Sequence, residues 1–147
     1  MIVGLAWALV ALAGLAALVG GWSWWQVRAS RSFWPLARAA QACAVALAAV
    51  SGVAALAGHE PDDGLYWVYA LVPIVVGVVA EQVRIASAAS VLAERGIEDT
   101  AEVGRMSEAQ QRAIVESVLR RETGVMVLAL VVTCFLAVRA VGTSAGF

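Results

Sequence analysis

The sequence has little of the side-chain chemistry on which most enzymes and redox proteins depend. Its 147 residues include no lysine, one histidine and two cysteines. Because His59 is the only histidine, a bis-histidine haem site is excluded. The cysteines do not form a Cys-x-x-C pair, so the chain has no motif for thiol–disulfide exchange. Cys43 and Cys134 both fall inside apolar stretches, where we interpret them as small packing residues.

Recognisable motifs for nucleotide binding and metal-dependent catalysis are also missing. The chain has no Walker loop, no dinucleotide-binding glycine pattern, no His-Glu-x-x-His sequence and no zinc-ligand spacing. Its net charge of −1 provides no overall field that attracts nucleic acid. We therefore expect a protein that is not an enzyme, that carries neither a cofactor nor a metal, and that does not bind nucleic acid.

Long apolar runs are what the sequence has in abundance. Hydrophobic residues make up 62% of the chain. A span needs about 20 residues at about 1.5 Å each to cross roughly 30 Å of hydrocarbon. We place spans at residues 2–25, 33–57, 65–86 and 123–141, the first being a retained span because it lacks the basic start of a signal peptide. The predicted fold is a single all-α membrane domain, an up-down bundle of four transmembrane helices.

Arginines determine the predicted orientation. Nine of the ten lie in or beside the first and third connections, and only Arg139 lies at the opposite boundary. Since basic residues stay in the cytoplasm during insertion, these two connections are predicted inside and both termini outside. The second connection, residues 59–64, is acidic, and we interpret it as a solvated turn because its side chains are too crowded for a cation site. The use of arginine in place of lysine, together with the segment 81–85, resembles small membrane proteins of high-GC bacteria, so a multi-pass protein of the bacterial plasma membrane is expected.

The third connection is predicted to be a cytoplasmic helical hairpin, residues 87–122. The third helix is expected to continue to Arg95 and to end at Gly96, which suits the position after a helix C-terminus. Ser107 begins a Ser-x-x-Gln capping box, from which a helix runs directly into the fourth span. A helix lying on the lipid surface is the alternative, but a mixed Glu/Arg face without bulky aromatic residues argues against it.

Two further patterns concern the start and the packing of the second span. Ser32 is predicted as its N-cap, with Pro35 in the first turn. Small residues then recur at every fourth position, which is typical of closely approaching membrane helices. We interpret this ridge as a packing surface rather than a ligand groove. Its members are Ala40, Ala44, Ala48 and Gly52.

Ionisable and amide side chains near the inner boundary form the candidate site. Glu81 lies roughly 24 Å from the outer edge of the third span, in its inner third. Ionisable residues inside spans are costly and therefore suggest function. The predicted cluster consists of Arg38, Gln41, Glu81, Gln82, Arg84, Arg120, Arg121 and Glu122.

Three interpretations of this cluster stay open. In the first, Glu81 pairs with Arg38 or Arg84, and the other arginines reach lipid phosphate, so the network only holds the helices together. In the second, the arginines bind a phosphate, a carboxylate or an anionic lipid headgroup. In the third, Glu81 is the titrating group of a small proton-coupled transporter or channel that works as a homo-oligomer. The first two are favoured: a non-catalytic accessory subunit or lipid/anion-binding module, whose partners are the bilayer and either further copies of itself or a larger membrane protein.

Overall fold

The computed structural model describes residues 1–96, 104 and 106–146. All of the regular secondary structure in these residues is helical: α1 is Ile2–Trp25, α2 is Phe33–Leu56, α3 is Leu65–Glu94 and α4 is Glu108–Gly142. Each of the four helices is long and apolar enough to cross a membrane. The prediction of an all-helical protein with four such helices is confirmed. The structure fits a multi-pass membrane protein.

Successive helices run in opposite directions and share one apolar core. α4 packs along both α1 and α3, and α1 packs along α2, whereas α2 and α3 contact each other more sparsely. The loop between α1 and α2 lies at the same end as Glu94 and Glu108, and we call this the arginine-rich end. The loop between α2 and α3 lies at the opposite end together with residues 1 and 146, and we call this the acidic end.

α4 begins directly after Ser107, where the capping box in the sequence predicts a helix start. The Ser107 side chain accepts a hydrogen bond from the Gln110 backbone N–H, and the Gln110 side chain accepts one from the Ser107 N–H, which is the predicted capping box. The helix then continues without a break to Gly142. α3 ends at Glu94, and Gly96 follows with a φ of +67°, a conformation that favours glycine.

The start of α2 differs in one detail from the prediction. The helix begins at Phe33, but Ser32 makes no capping hydrogen bond, because its backbone is already helical with φ −84° and ψ −24°. A capping residue needs an extended backbone to turn its side chain toward the free N–H groups. Ser30 supplies the cap instead, since its Oγ accepts from the Phe33 N–H at 3.3 Å.

The C-termini of α1 and α2 have the same geometry but different residues. In α1 the Arg28 N–H reaches back to the Ser23 carbonyl at 3.0 Å, and in α2 the His59 N–H reaches back to the Ala54 carbonyl at 3.0 Å. This bond defines a Schellman motif, whose C′ residue has a positive φ. That residue is Gly58 in α2, with φ +86°, but Val27 in α1, with φ +51°. Val27 is the only non-glycine residue with positive φ in the described part of the chain.

Small residues bring α1 close to its neighbours. A Cβ placed on Gly20 would meet the Phe33 ring and would lie 2.6 Å from Val127 Cγ2, so only glycine permits this three-helix contact. Farther along α1, the thiols of Cys43 and Cys134 each donate to an α1 carbonyl oxygen at 3.6 Å. These contacts agree with the interpretation of both cysteines as packing residues.

The small-residue ridge of α2 packs over only half of its length. Ala40 and Ala44 are buried, whereas Ala48 and Gly52 are half-buried, and the buried face continues through Leu47. A four-residue repeat drifts by about 40° per step around a helix of 3.6 residues per turn, so the ridge rotates out of the contact. The small-residue ridge of α2 is therefore a packing surface at the arginine-rich end, at Ala40 and Ala44, but not at the acidic end.

Candidate functional site

The sparse contact between α2 and α3 leaves a groove of about 330 Å³. Its walls are apolar, and charged and amide side chains are gathered at its arginine-rich end. The lining residues are Arg38, Gln41 and Val45 of α2 and Pro73, Ile74, Gly77, Val78, Glu81 and Gln82 of α3. Gly77 adds no side chain to the groove, and a Cβ there would come into ordinary contact with Gln41 Nε2 at 3.6 Å. Five of the predicted cluster residues thus meet at this groove or at its mouth, with Arg84 beside Glu81.

Glu81 of α3 contacts two arginines, Arg38 on α2 and Arg84 on its own helix. Its Oε1 lies 2.7 Å from Arg38 Nη1, and its Oε2 accepts from Arg84 Nε at 2.8 Å. Arg38 Nη1 also donates to Gln41 Oε1 at 2.8 Å. The Arg38–Glu81 contact is an ion pair but not an aligned hydrogen bond. Glu81 Oε1 is buried and accepts no aligned hydrogen bond from the described residues. The Glu81 side chain is only 18% exposed, so most of its water contact has been replaced by these two guanidinium groups.

Arg84 is fixed from a second side by an aromatic ring. Its guanidinium carbon lies 5.1 Å from the centre of the Trp34 ring, and Trp34 packs edge-on against Phe33 with centroids 5.1 Å apart. A cation over an indole face is attracted by the ring quadrupole. Two guanidinium groups and one carboxylate therefore stand at the groove mouth, which leaves a local excess of one positive charge.

The predicted cluster residues on α4 lie elsewhere. Arg120 stacks on Trp24 of α1 at 5.1 Å, and Arg121 Nη1 donates to Glu94 Oε1 of α3 at 2.6 Å. Glu122 is half-buried and has no ion-pair partner in the described part of the chain. The separation has a simple cause: α4 lies between α1 and α3 and makes only slight contact with α2. Its arginines cannot share the groove between α2 and α3.

Contacts between the ends of α3 and α4 extend beyond the apolar spans. Arg95 Nη2 donates to the Ala113 carbonyl at 3.2 Å and to Ser117 Oγ at 2.8 Å, next to an apolar contact of Val91 with Ile114. On α4, Glu108 and Arg112 are four residues apart and form an ion pair at 3.3 Å. Glu116 and Arg120 have the same spacing but form no ion pair, and Arg120 turns toward Trp24 instead.

Two other chemical possibilities find no support in the geometry. Residues 142–146 spell Gly-x-Ser-x-Gly, a pattern that in hydrolases places a nucleophile between a strand and a helix. Here the pattern follows the end of a helix, and the buried Ser144 Oγ donates to the Val141 carbonyl at 2.8 Å. Within the described residues, no three histidine, cysteine, aspartate or glutamate side chains are grouped closely enough to hold a metal ion.

The fold and the site define an all-helical protein with four candidate membrane spans and a charged groove between α2 and α3. No protein-family model, curated protein or solved structure matches the chain.

Proposed function

We propose that the protein is a non-catalytic membrane module that binds an anionic amphiphile in the α2–α3 groove. The headgroup lies against Arg38 and Arg84, and the apolar part lies between the helices. The observation that carries this proposal is the composition of the groove: apolar walls that end in two arginines and one glutamate. An ion pair that only joined two helices would need one arginine.

The arginine donors support recognition of a phosphate or carboxylate. Arg38 is 53% exposed and directs only Nη1 at Gln41 and Glu81, which leaves its other N–H groups free to point out of the groove. A guanidinium group presents its donors in a planar fork that matches two oxygens of one anion. The buried Glu81 Oε1, which receives no aligned donor from the described residues, is suited to accept from a headgroup hydroxyl.

The walls of the groove support an apolar tail. From Glu81 to Pro73 the groove follows α3 for eight residues, roughly 12 Å along the helix axis. Val45, Ile74 and Val78 line this length, and Gly77 adds no side chain to fill it. A chain of methylene groups therefore finds apolar contact in the groove while the headgroup stays with the arginines.

The orientation of the protein in the membrane is part of this proposal. With the arginine-rich end in the cytoplasm, both termini are outside, the extensions of α3 and α4 form a cytoplasmic hairpin, and the groove mouth faces the anionic inner leaflet. Both carboxylate oxygens of Glu81 lie within 2.8 Å of a guanidinium group, so Glu81 serves as the counter-charge of the two arginines rather than as a proton carrier. For this reason we favour a binding module over a proton-coupled transporter that depends on Glu81. The module is also proposed to work beside a larger membrane protein or further copies of itself.

Native mass spectrometry of the purified protein tests the proposal. The protein is exchanged into detergent containing either phosphatidylglycerol or phosphatidylcholine, and the retained lipid is counted. We expect the binding of one phosphatidylglycerol molecule, the one in the groove, to weaken about tenfold in Arg38→Gln, which loses a charge-assisted contact, and also in the charge-neutral Gly77→Leu, which fills the groove. Arg139→Gln is the matched control at the acidic end. Equal retention by Arg38→Gln, Gly77→Leu and the wild type would overturn the proposal.

A further inference from the structure

A second group of hydrogen-bond donors meets at the arginine-rich end, between α1 and α4. It lines a shallow, widely open recess of about 490 Å³ formed by Trp24, Ser117, Arg120, Arg121, Gly124 and Val125. This recess shares no lining residue with the α2–α3 groove. The Ser117 hydroxyl already donates to the Ala113 carbonyl at 2.7 Å and accepts from Arg95 at 2.8 Å. The other polar side-chain atoms of the lining, those of Trp24, Arg120 and Arg121, are all N–H donors.

The indole of Trp24 packs closely against α4 because residue 124 is a glycine and leaves room for the ring. A Cβ on Gly124 would lie 3.0 Å from Trp24 Nε1 and 3.4 Å from Trp24 Cδ1, closer than such atoms normally approach. Gly124 therefore admits the N–H edge of the ring to the surface of α4, beside Arg120. A tryptophan that only anchored α1 in the headgroup region would not require a glycine on the neighbouring helix.

The two arginines of the recess are held by different partners. The Arg120 guanidinium stacks on Trp24, a contact that fixes the group while leaving its in-plane N–H donors unoccupied. Arg121 is paired with Glu94 at 2.6 Å. Glu116 is exposed and forms no ion pair with Arg120, so it does not neutralise the stacked arginine. The recess therefore has an excess of positive charge carried by a preorganised group.

We infer that this recess is a second anion site, which binds a phosphate group through the Arg120 guanidinium and the Trp24 Nε1–H. The phosphate belongs either to a lipid headgroup or to a free phosphate, since the donor chemistry is the same for both. The inference does not depend on the proposed function of the α2–α3 groove, because it concerns different helices and different residues.

Charge-neutral variants distinguish a built site from the general attraction of surface arginines to anionic lipid. Gly124→Ala keeps every charge but pushes the Trp24 indole away from α4, and Gly142→Ala on the same helix is its control, since nothing lies within 4 Å of a Cβ there. We expect the wild type to retain a second phosphatidylglycerol molecule in native mass spectrometry. Gly124→Ala and Arg120→Gln should each weaken that second binding step about tenfold, while Gly142→Ala and Arg112→Gln leave it unchanged.

Two titrations, one with inorganic phosphate and one with phosphatidylglycerol, distinguish free phosphate from a lipid headgroup as the ligand. Titration with inorganic phosphate in lipid-free detergent should change the tryptophan fluorescence of the wild type, but not of Trp24→Phe, if the site takes free phosphate. If it takes a lipid headgroup, only phosphatidylglycerol should produce that change. The inference is overturned if Gly124→Ala, Arg120→Gln and Trp24→Phe all match the wild type in both arms. Arg38→Gln separates the two proposals, because it should remove the groove lipid and leave the recess occupied.

Discussion

Glu81 Oε1 of α3 lies 2.7 Å from Arg38 Nη1 of α2, and this ion pair closes the only charged end of an otherwise apolar groove. The two helices contact each other sparsely, and at this level the pair joins them together with the contact of Arg84 on Trp34. Arg84 binds the other oxygen of the same carboxylate at 2.8 Å. Removing the carboxylate would leave two cations without their common partner.

The first prediction follows from this shared carboxylate. Glu81→Gln should lower the free energy of unfolding by about 1–3 kcal/mol, less than the loss from breaking a fully buried pair, because Arg38 is 53% exposed and partly screened. Adding Arg84→Gln should recover more of the loss than adding Arg38→Gln, since Arg84 is only 26% exposed. Thermal melts of the purified protein measure both effects. A neutral or stabilising Glu81→Gln would instead identify Glu81 as a functional acid kept at the expense of stability.

The second prediction concerns the three-helix contact at Gly20. Gly20→Ala places a methyl group against the Phe33 ring and 2.6 Å from Val127 Cγ2, so overpacking should destabilise the fold by about 1–3 kcal/mol. Gly21→Ala is the matched control on the next residue, where a Cβ meets nothing within 4 Å. It should be neutral or slightly stabilising, because alanine favours a helix over glycine. Equal melting temperatures for the two variants would show that α1 can move aside at Gly20 without cost.

The apolar spans and the local helix signals could be predicted from the sequence because each depends on residues close together in the chain. The length of α1, the capping box at Ser107 and the positive φ at Gly96 are of this kind. The Glu81–Arg84 pair is also local, one turn apart on α3, and Arg38 lies near the inner boundary of its own span, so the sequence predicts it in the same cluster.

The remaining contacts depend on which helices are neighbours and how each is rotated. Arg120 stacks on Trp24, and Arg121 pairs with Glu94, because α4 lies between α1 and α3. Neither partner follows from composition or spacing. The groove itself results from a sparse contact between α2 and α3, which hydropathy does not encode. A glycine such as Gly124 leaves room for a ring on a neighbouring helix, but it does not identify which ring fills that room.

The third prediction compares two serines at helix starts. Ser107→Ala should cost about 1 kcal/mol of local helix stability, because it removes the side chain that accepts from the Gln110 N–H. Amide hydrogen exchange across residues 108–113 should become faster. Ser32→Ala should leave exchange at the start of α2 unchanged, since Ser32 makes no capping hydrogen bond. Uniformly fast exchange across residues 108–113 in the wild type would contradict a stable capped helix there.

The fourth prediction uses the matched C-termini of α1 and α2. Val27 occupies with φ +51° the position that Gly58 occupies with φ +86°. A β-branched residue in this region is strained by about 1–2 kcal/mol, so Val27→Gly should raise the melting temperature. Gly58→Val, the reverse change, should lower it. A decrease for Val27→Gly would mean that the valine side chain contributes more by its contacts than it loses by backbone strain.

The last prediction tests the orientation on which the lipid proposals rest. In a variant without Cys43 and Cys134, a cysteine introduced at Pro61 should react with a membrane-impermeant maleimide in intact cells, because the acidic loop is expected outside. A cysteine at Arg112, which is exposed on the α4 extension, should react only after the membrane is permeabilised. Arg105, another natural choice for the inner side, lies outside the described residues. The opposite labelling pattern would place the groove mouth and the Trp24 recess at the outer leaflet. The arginines would then face a leaflet without the cytoplasmic surface potential, and an anionic lipid of the inner leaflet could no longer be their ligand.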